Sequence, residues 1–250
     1  MAVGSDATLS PMVSKLAYRA QFEPDDQAAI LGLPHRTRRL ERHGFIMRER
    51  EKTTHSCLLL SGFAIRYKIV AGGARQIVAI HMKGDLVDLQ NSFLGVADHS
   101  VQVITDSEVA FMPREAVQAL AFARPAVGMA MWYDTLVDGS VFREWIANVG
   151  RRDSLTRIAH LLCEFSLRLK LAGLGEESNY SLPMSQEQLA DCTGLTSVHV
   201  NRTLKALESH GLIERKSSRS ITIGDWRKLA EAGDFDSTYL HLRDHEAALG

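Results

Sequence analysis

The sequence predicts an α+β chain with an N-terminal antiparallel β-roll, a long helix, and a C-terminal helix-turn-helix followed by a β-hairpin wing. Short strand-like runs, one long run of helical periodicity, and a segment with helix-turn-helix spacing predict these three parts. At 250 residues, with 45% hydrophobic and 24% charged content, the chain can bury more than one core. We therefore expect a β-roll domain over residues 1–124, a long helix and hinge over 125–150, and a winged helix-turn-helix domain over 151–250.

The predicted roll rests on strand-like runs between about Leu40 and Met112. Residues 71–74, Ala-Gly-Gly-Ala, separate two of these runs, and a Gly-Gly pair is typical of a hairpin because both residues tolerate positive φ. A later strand pair, 101–104 and 108–112, flanks a turn at Asp106 and Ser107. Short antiparallel strands at this spacing favour a roll or barrel over a parallel sheet.

The long helix is predicted from Pro125 to about Val149. Apolar, small and charged residues recur along it at alternating intervals of three and four, as in a coiled-coil seam: Met129, Trp132, Leu136, Gly139, Arg143 and Ile146. We interpret this seam as the interface of a homodimer; a helix that packs only on its own roll is the alternative. Residues 150–153 are interpreted as a hinge.

Residues 185–211 fit a helix-turn-helix. Ala190 is the small residue that lets two helices approach, Gly194 lies at the turn, and Val200 faces back into the first helix. A capping-box sequence at 185–188 opens the first helix. We expect Thr196 to cap the second helix and Gly211 to end it in the left-handed conformation.

The outer face of the second helix has the chemistry that a major groove requires. Arg202 can donate to guanine or to phosphate, Lys205 suits phosphate, and Val198 can contact a thymine methyl group. A basic hairpin tip follows at 216–219, although the net charge of the whole chain is -1. For the helix alone, a solvated amphipathic face is the alternative. The predicted DNA contacts are Thr196, Ser197, Val198, His199, Asn201, Arg202, Lys205, Lys216, Ser218 and Arg219.

This order of elements resembles the Crp/Fnr superfamily of bacterial transcription regulators, relatives of the cyclic-AMP receptor protein. The segments HSCLLLSGFAIRYK (55–68), GDLVDLQ (84–90), FREWIANVGRRD (142–153) and GLTSVHVNRTLKAL (194–207) carry the resemblance, and the last is similar to a subgroup common in alphaproteobacteria. The resemblance implies a cyclic-nucleotide-binding-like roll and a homodimer on a palindromic operator, with double-stranded DNA and RNA polymerase as candidate partners. Arg202 matches the family's guanine-reading arginine, whereas Ser197 and Val198 replace the Arg-Glu pair of the cyclic-AMP receptor protein.

The resemblance also indicates which effector to exclude. Nucleotide-binding members hold the ribose through a glutamate and the cyclic phosphate through an Arg-Ser/Thr-Ala segment. Leu89 and the tripeptide 99–101 stand at those positions here, so the implied pocket is vestigial: Asp88, Leu89, His99, Ser100 and Val101. A buried phosphate without its arginine loses a charge-assisted partner, so cyclic AMP is not the expected effector. The true signal, the operator, and activation versus repression stay open.

The sequence lacks the motifs of other cofactors and of enzymes. The first of three cysteines is Cys57, too late for the N-terminal cysteine set that holds an iron–sulfur cluster in oxygen sensors of the family. His55, His81 and His99 are formally available to haem but are typical of surface or core positions in strands, and a redox role for Cys57 stays open. Without a GxSxG, Walker, HExxH or paired-cysteine motif, we expect no enzyme, cofactor or metal.

No apolar run approaches the roughly 18 residues that cross a membrane, so we expect no membrane association. The N-terminus lacks the basic-then-apolar order of a signal peptide, which predicts a cytoplasmic protein. The predicted function is sequence-specific DNA binding in transcription. A ligand-sensing or protein-interaction module whose helix-turn-helix binds no specific DNA is the alternative, and mobility shifts with genomic fragments would separate the two.

Overall fold

The computed structural model describes residues 8–175, 178–217 and 219–242. They form an α+β fold that divides into two compact units. The first unit contains residues 8–68, 79–139 and 241–242, and the second contains the described residues of 69–78 and 140–240. Among the described helices, none combines the length and the apolar character needed to cross a membrane.

The strands of the roll form two sheets, which confirms the predicted antiparallel roll. The strands are β1 Arg36–Leu40, β2 Phe45–Met47, β3 His55–Ser61, β4 Ala64–Ile69, β5 Arg75–His81, β6 Ser100–Val103 and β7 Ser107–Pro113. One sheet has the order β1-β7-β3, and the other has the order β2-β6-β4-β5. The pairs β1–β7, β3–β7, β2–β6 and β4–β6 are antiparallel.

One predicted strand pair is wrong. The strands before and after Asp106 are β6 and β7, but they lie in different sheets, so the turn carries the chain from one sheet to the other. The reason is that β7 has buried residues on both faces and is the central strand between β1 and β3. The hairpin at residues 71–74 does join β4 to β5, with only Gly73 of the two glycines at positive φ (+81°).

Two apolar cores lie on opposite faces of the sheet β1-β7-β3. Alternate residues of β3 separate them: Leu59 packs with Val101 between the two sheets, whereas Leu58 packs with Leu89 on the other side. The helices of this unit before the long helix are α1 Ser10–Ala17, α2 Pro24–Leu31, α3 Asn91–Leu94 and α4 Arg114–Ala123. Residues of α1, α2 and α4 complete the second core.

The long helix, α5, spans Pro125–Arg151 and therefore ends within the predicted hinge at residues 150–153. Gly150 lies inside the helix, and the chain breaks only after residue 151. Asp153 sets this break because it caps the next helix, α6 (Ser154–Leu171). Its Oδ1 accepts hydrogen bonds from the backbone N–H groups of Leu155 at 2.9 Å and Thr156 at 3.0 Å.

The predicted seam of α5 is largely exposed in the single chain. Met129, Trp132, Leu136 and Ile146 are 61%, 63%, 58% and 72% exposed, and Arg143 is also exposed, while Gly139 is half-buried. Other apolar residues of the same helix, including Val127 and Val141, are buried. Exposed apolar residues in such a row mark a surface that a second helix would cover. The homodimer itself stays a prediction.

The second unit contains the helix-turn-helix and its wing. Its elements after α6 are β8 Asn179–Ser181, α7 Gln186–Thr193, α8 Ser197–Ser209, β9 Ile213–Glu214, β10 Ser220–Ile223, α9 Trp226–Ala232 and a short 3-10 helix Ser237–Leu240. The strand order β8-β10-β9 adds β8 to the two predicted wing strands. Only three residues long, β8 carries too little pattern to be predicted from its own sequence.

Candidate nucleic-acid interface

The turn between α7 and α8 depends on Gly194. This residue ends α7 in the left-handed conformation, with φ of +65°, and its N–H donates to the carbonyl oxygen of Ala190. A Cβ atom at this position would lie 3.1 Å from Cγ1 of Val149. Arg157 Nη1 donates to the carbonyl oxygen of Thr193 at 2.6 Å, which satisfies the end of α7. Glycine is therefore required both for the turn and for the close packing.

The predicted helix caps are confirmed. Ser185 Oγ accepts from the N–H of Gln188 at 3.2 Å, and Gln188 Oε1 accepts from the N–H of Ser185 at 2.8 Å. At the start of α8, Thr196 Oγ1 accepts from the N–H of His199 at 3.2 Å. Gly211 follows the end of α8 with φ of +68°.

The two faces of α8 have the predicted burial. Val200, Thr203, Leu204 and Leu207 are buried, and α8 packs on α6 and α7. On the outer face, Val198 is 81% exposed. Ser197, Arg202, Lys205 and Ser209 are also exposed, while Asn201 is half-buried. The outer face therefore combines a cation donor, an amide and an apolar side chain, as base readout requires.

Six residues of α7 and α8 line one groove on this surface: Gln186, Ser197, Val198, Asn201, Arg202 and Lys205. Gln186 is absent from the predicted contacts because it belongs to α7, 15 residues before Asn201. Asn201 Nδ2 donates to Gln186 Oε1 at 3.2 Å. Arg202 Nη2 is hydrogen-bonded to His199 Nε2 on the same face of α8. The Asn201 amide is thus held by Gln186, and the Arg202 guanidinium is held by His199.

The wing is attached to α8 by an ion pair. Arg215 Nη2 donates to Glu208 Oε2 at 2.6 Å, and this hydrogen bond holds the pKa of Glu208 below its usual range. The pair leaves the cations at the tip, Lys216 and Arg219, exposed. Ser218, the remaining predicted contact on the wing, lies outside the described residues.

The residues of the predicted effector pocket do not form one cluster. Leu89 packs in the core that includes α1 and α4, whereas Val101 packs in the core between the sheets. Ser100 Oγ accepts a hydrogen bond from the N–H of Glu49 at 3.0 Å. Leu89, Ser100 and Val101 therefore have different surroundings.

The other two pocket residues lie near a buried arginine that the sequence analysis did not single out. Arg66 on β4 is 2% exposed and donates to Asp138 Oδ2 at 2.7 Å and to the carbonyl oxygen of Val87 at 2.8 Å. Desolvation raises the pKa of Asp88 to about 6, although hydrogen bonds with Cys57 and then the charge of Arg66 oppose this shift. Burial, and then the charge of Arg66, lowers the pKa of His99. The one available signal was an arginine inside the apolar run FAIRYKIV.

The structure gives little support to a redox or metal role. Burial raises the pKa of the Cys57 thiol, which disfavours the reactive thiolate. Residues 8–175, 178–217 and 219–242 contain no group of three or more His, Cys, Asp or Glu side chains that could hold a metal ion.

Two family models match the chain. Residues 37–124 match the cyclic nucleotide-binding domain, and residues 156–232 match the Crp-like helix-turn-helix domain. Over 168 residues the chain is 30% identical to the nitrogen fixation regulation protein FixK of Bradyrhizobium diazoefficiens, which covers 67% of this chain and 70% of that protein. The chain belongs to the Crp/Fnr family.

This Crp/Fnr regulator has further relatives of the same kind. It is 29% identical over 180 residues to the transcriptional activator protein FnrL of Cereibacter sphaeroides, covering 70% of this chain and 72% of that protein. The structure of FixK2 from Bradyrhizobium japonicum has the same fold, with a TM-score of 0.74 and 24% identity over 80% of this chain and 98% of that chain. The chain is therefore a DNA-binding transcription regulator of the alphaproteobacterial type, and the alternative without specific DNA binding is not supported.

Asp88→Asn is expected to flatten the pH dependence of stability. Burial raises the pKa of Asp88 from 3.8 to about 6, so the native state retains a proton that the unfolded chain releases, and wild-type stability falls as pH rises through this window. Asparagine has no such proton to lose. We compare the free energy of unfolding of the variant minus that of wild type. This difference should be about 2 kcal/mol larger at pH 7 than at pH 4.5. Urea unfolding followed by circular dichroism measures it.

The control is Asp25→Asn, because Asp25 is exposed. An alternative result is that the free energy of unfolding of Asp88→Asn differs from that of wild type by the same amount at both pH values. That result would contradict the raised pKa of Asp88.

Proposed function

We propose that this regulator binds a pseudo-palindromic operator as a homodimer and reads its sequence with α8. The observation that carries the proposal is the groove lined by exposed Arg202 and Val198 and half-buried Asn201, on a helix whose opposite face is buried. In dimeric helix-turn-helix proteins, two such helices enter successive major grooves roughly 34–36 Å apart.

The chemistry of each side chain indicates what it would contact in DNA, for all predicted contacts other than Asn201. Arg202 reads a guanine, with His199 as its hydrogen-bonding neighbour, while Ser197 and Val198 adjust the preferred sequence. Phosphates are contacted by the exposed side chains of Thr196, Lys205, Lys216 and Arg219 and by the hydroxyl group of Ser218. In this proposal residues 1–124 form the sensor-like roll, residues 125–150 form the dimerisation helix and hinge, and residues 151–250 form the DNA-binding domain.

The dimer is supported by the exposed row on α5. Met129 and Ile146 are large apolar residues at opposite ends of this row, and both are more than half exposed in the single chain. Because the two copies of a two-fold dimer present the same surface to each other, one row on α5 can serve as both halves of the interface.

The interior of the roll supports regulation without cyclic AMP. Arg66 directs its guanidinium to Val87 and Asp138, so its charge is balanced within the protein. His99 stands where nucleotide-binding relatives have arginine, and its lowered pKa favours the neutral imidazole near pH 7. A neutral imidazole supplies no cation for a cyclic phosphate.

The cellular setting follows from the same proposal. Relatives named transcriptional activators support RNA polymerase as a partner of the DNA-bound dimer. Because chromosomal DNA lies in the bacterial cytoplasm, the proposed DNA binding predicts that the regulator acts there. The proposed activity is binding alone, without catalysis.

Arg202→Ala and Lys216→Ala are expected to change DNA binding in different ways. Loss of the base-reading guanidinium should cost about 1–3 kcal/mol at the guanine position and relax specificity there. Loss of the wing cation should weaken all sequences alike and reduce the salt slope by about 1. Fluorescence anisotropy on selected and scrambled duplexes, across a salt series, measures both effects. Equal effects of the two substitutions on both duplexes would show that Arg202 does not read a base.

Ile146→Glu should convert the dimer to monomers, because two copies of the carboxylate would face each other in an apolar seam. Each lost isoleucine contributes about 1.5–3 kcal/mol, so the dimer should weaken by roughly 100-fold or more. Sedimentation velocity measures the change. Ala147→Glu is the matched control, since Ala147 is the exposed next residue outside the seam. A dimer that survives Ile146→Glu would contradict this interface.

Calorimetric titration with cyclic AMP should give no heat of binding at micromolar ligand. The expected result follows because Arg66 already donates to Asp138 and Val87 and because the lowered pKa of His99 favours its neutral form. Micromolar or tighter binding would contradict the proposal that cyclic AMP is not the effector of this regulator.

A further inference from the structure

The side chains of Gln186 and Asn201 connect the two helices of the motif, and both line the groove on its outer surface. Gln186 is the first residue of α7, and Asn201 lies on α8 directly before Arg202. The Asn201 amide donates to Gln186 Oε1 at 3.2 Å, and both residues are half-buried. A contact between two amides that both line the groove suggests a combined role in recognition.

The chemistry of the amide identifies the base that it suits. An asparagine amide has two N–H donors and one carbonyl acceptor, and Gln186 occupies one donor. The second N–H and the oxygen match adenine, which presents N7 as an acceptor and the N6 amino group as a donor in the major groove.

The hydrogen bond also decides which way the Asn201 amide faces. A side-chain amide that is rotated by a half-turn exchanges its donor and its acceptor. In this contact Gln186 Oε1 accepts from Asn201 Nδ2, so the nitrogen of Asn201 points towards α7 and its oxygen points away from Gln186. An amide already ordered before binding loses less conformational entropy when it meets the base.

On the basis of the proposed operator binding, we propose that Gln186 is a positioning residue that orients Asn201 to read an adenine in each half-site. Asn201 makes the base contact and Gln186 acts through it. Arg202 reads its guanine independently, because its own neighbour is His199. The two base readers of α8 thus depend on different supporting side chains.

The experiment begins with an operator selected from randomised duplexes by the full-length wild-type protein. Each base pair of the half-site is then changed in turn, and affinities are measured by fluorescence anisotropy. Asn201→Ala should lose the preference for adenine at one position per half-site by roughly 5- to 150-fold. Gln186→Ala should lose part of the preference at that same position and leave the guanine position unchanged. The double variant should lose no more than Asn201→Ala, because Gln186 acts through Asn201.

Two further variants separate orientation from charge and folding. Gln186→Glu keeps an acceptor oxygen for Asn201, so it should retain the adenine preference while its negative charge lowers affinity for every duplex. Glu187→Gln is the matched control, because Glu187 is an exposed neighbour outside the groove. It should preserve the adenine preference. Circular dichroism melts of all variants confirm that α7 and α8 remain folded.

Three outcomes would overturn the proposal: uniform weakening by Gln186→Ala, which indicates a phosphate contact; a loss at a different base pair; or no effect. Each assumes a wild-type protein that selects a specific operator. A wild type that selects no sequence would overturn the proposed function first, and the inference with it.

Discussion

The left-handed conformation of Gly194 fixes how α8 leaves α7, and the groove on the outer surface depends on it. Any other residue would place a Cβ atom against Val149 and would adopt a φ that costs about 1–2 kcal/mol for an L-residue. The same turn allows Gln186 and Asn201 to meet, although they are 15 residues apart. The groove therefore depends on a backbone conformation as much as on its polar side chains.

Two arginines show how position determines the use of the same charge. Arg66 is buried in the roll, and its guanidinium is balanced by the Asp138 carboxylate and a backbone carbonyl. Arg202 is exposed on α8, and His199 engages one of its nitrogens. A buried cation that already has protein partners stabilises its surroundings, whereas an exposed one can exchange water for a base or phosphate. The net charge of -1 for the chain conceals this difference.

The parts predicted from sequence are those set by nearby residues. The caps at Ser185 and Thr196 and the buried face of α8 follow from local hydrogen bonding and helical periodicity, and all three are confirmed. Strand partners were harder: β6 and β7 are adjacent in sequence but lie in different sheets, because β7 is buried on both faces. The break after α5 lies within the predicted hinge, where Asp153 caps the next helix.

Within the candidate site, the residues that sequence could not predict are also those whose partners are distant in the chain. The outer face of α8 could be read from one helical wheel, but Gln186 belongs to another helix and enters the groove only through tertiary packing. Arg66 was missed because its partners, Val87 and Asp138, are distant in sequence. Charged residues inside an apolar strand are therefore worth examining for buried ion pairs, even when no motif surrounds them.

The central claim is that a dimer reads a guanine through the major groove in each of two half-sites. Methylation interference on the selected duplex tests it most directly, because a methyl group on guanine N7 blocks the atom that a bidentate arginine contacts. The account predicts interference at guanines in both half-sites, with the half-site centres about 10–10.5 base pairs apart or a multiple of that spacing. Binding that tolerates N7 methylation everywhere, or interference confined to one half-site, would contradict it.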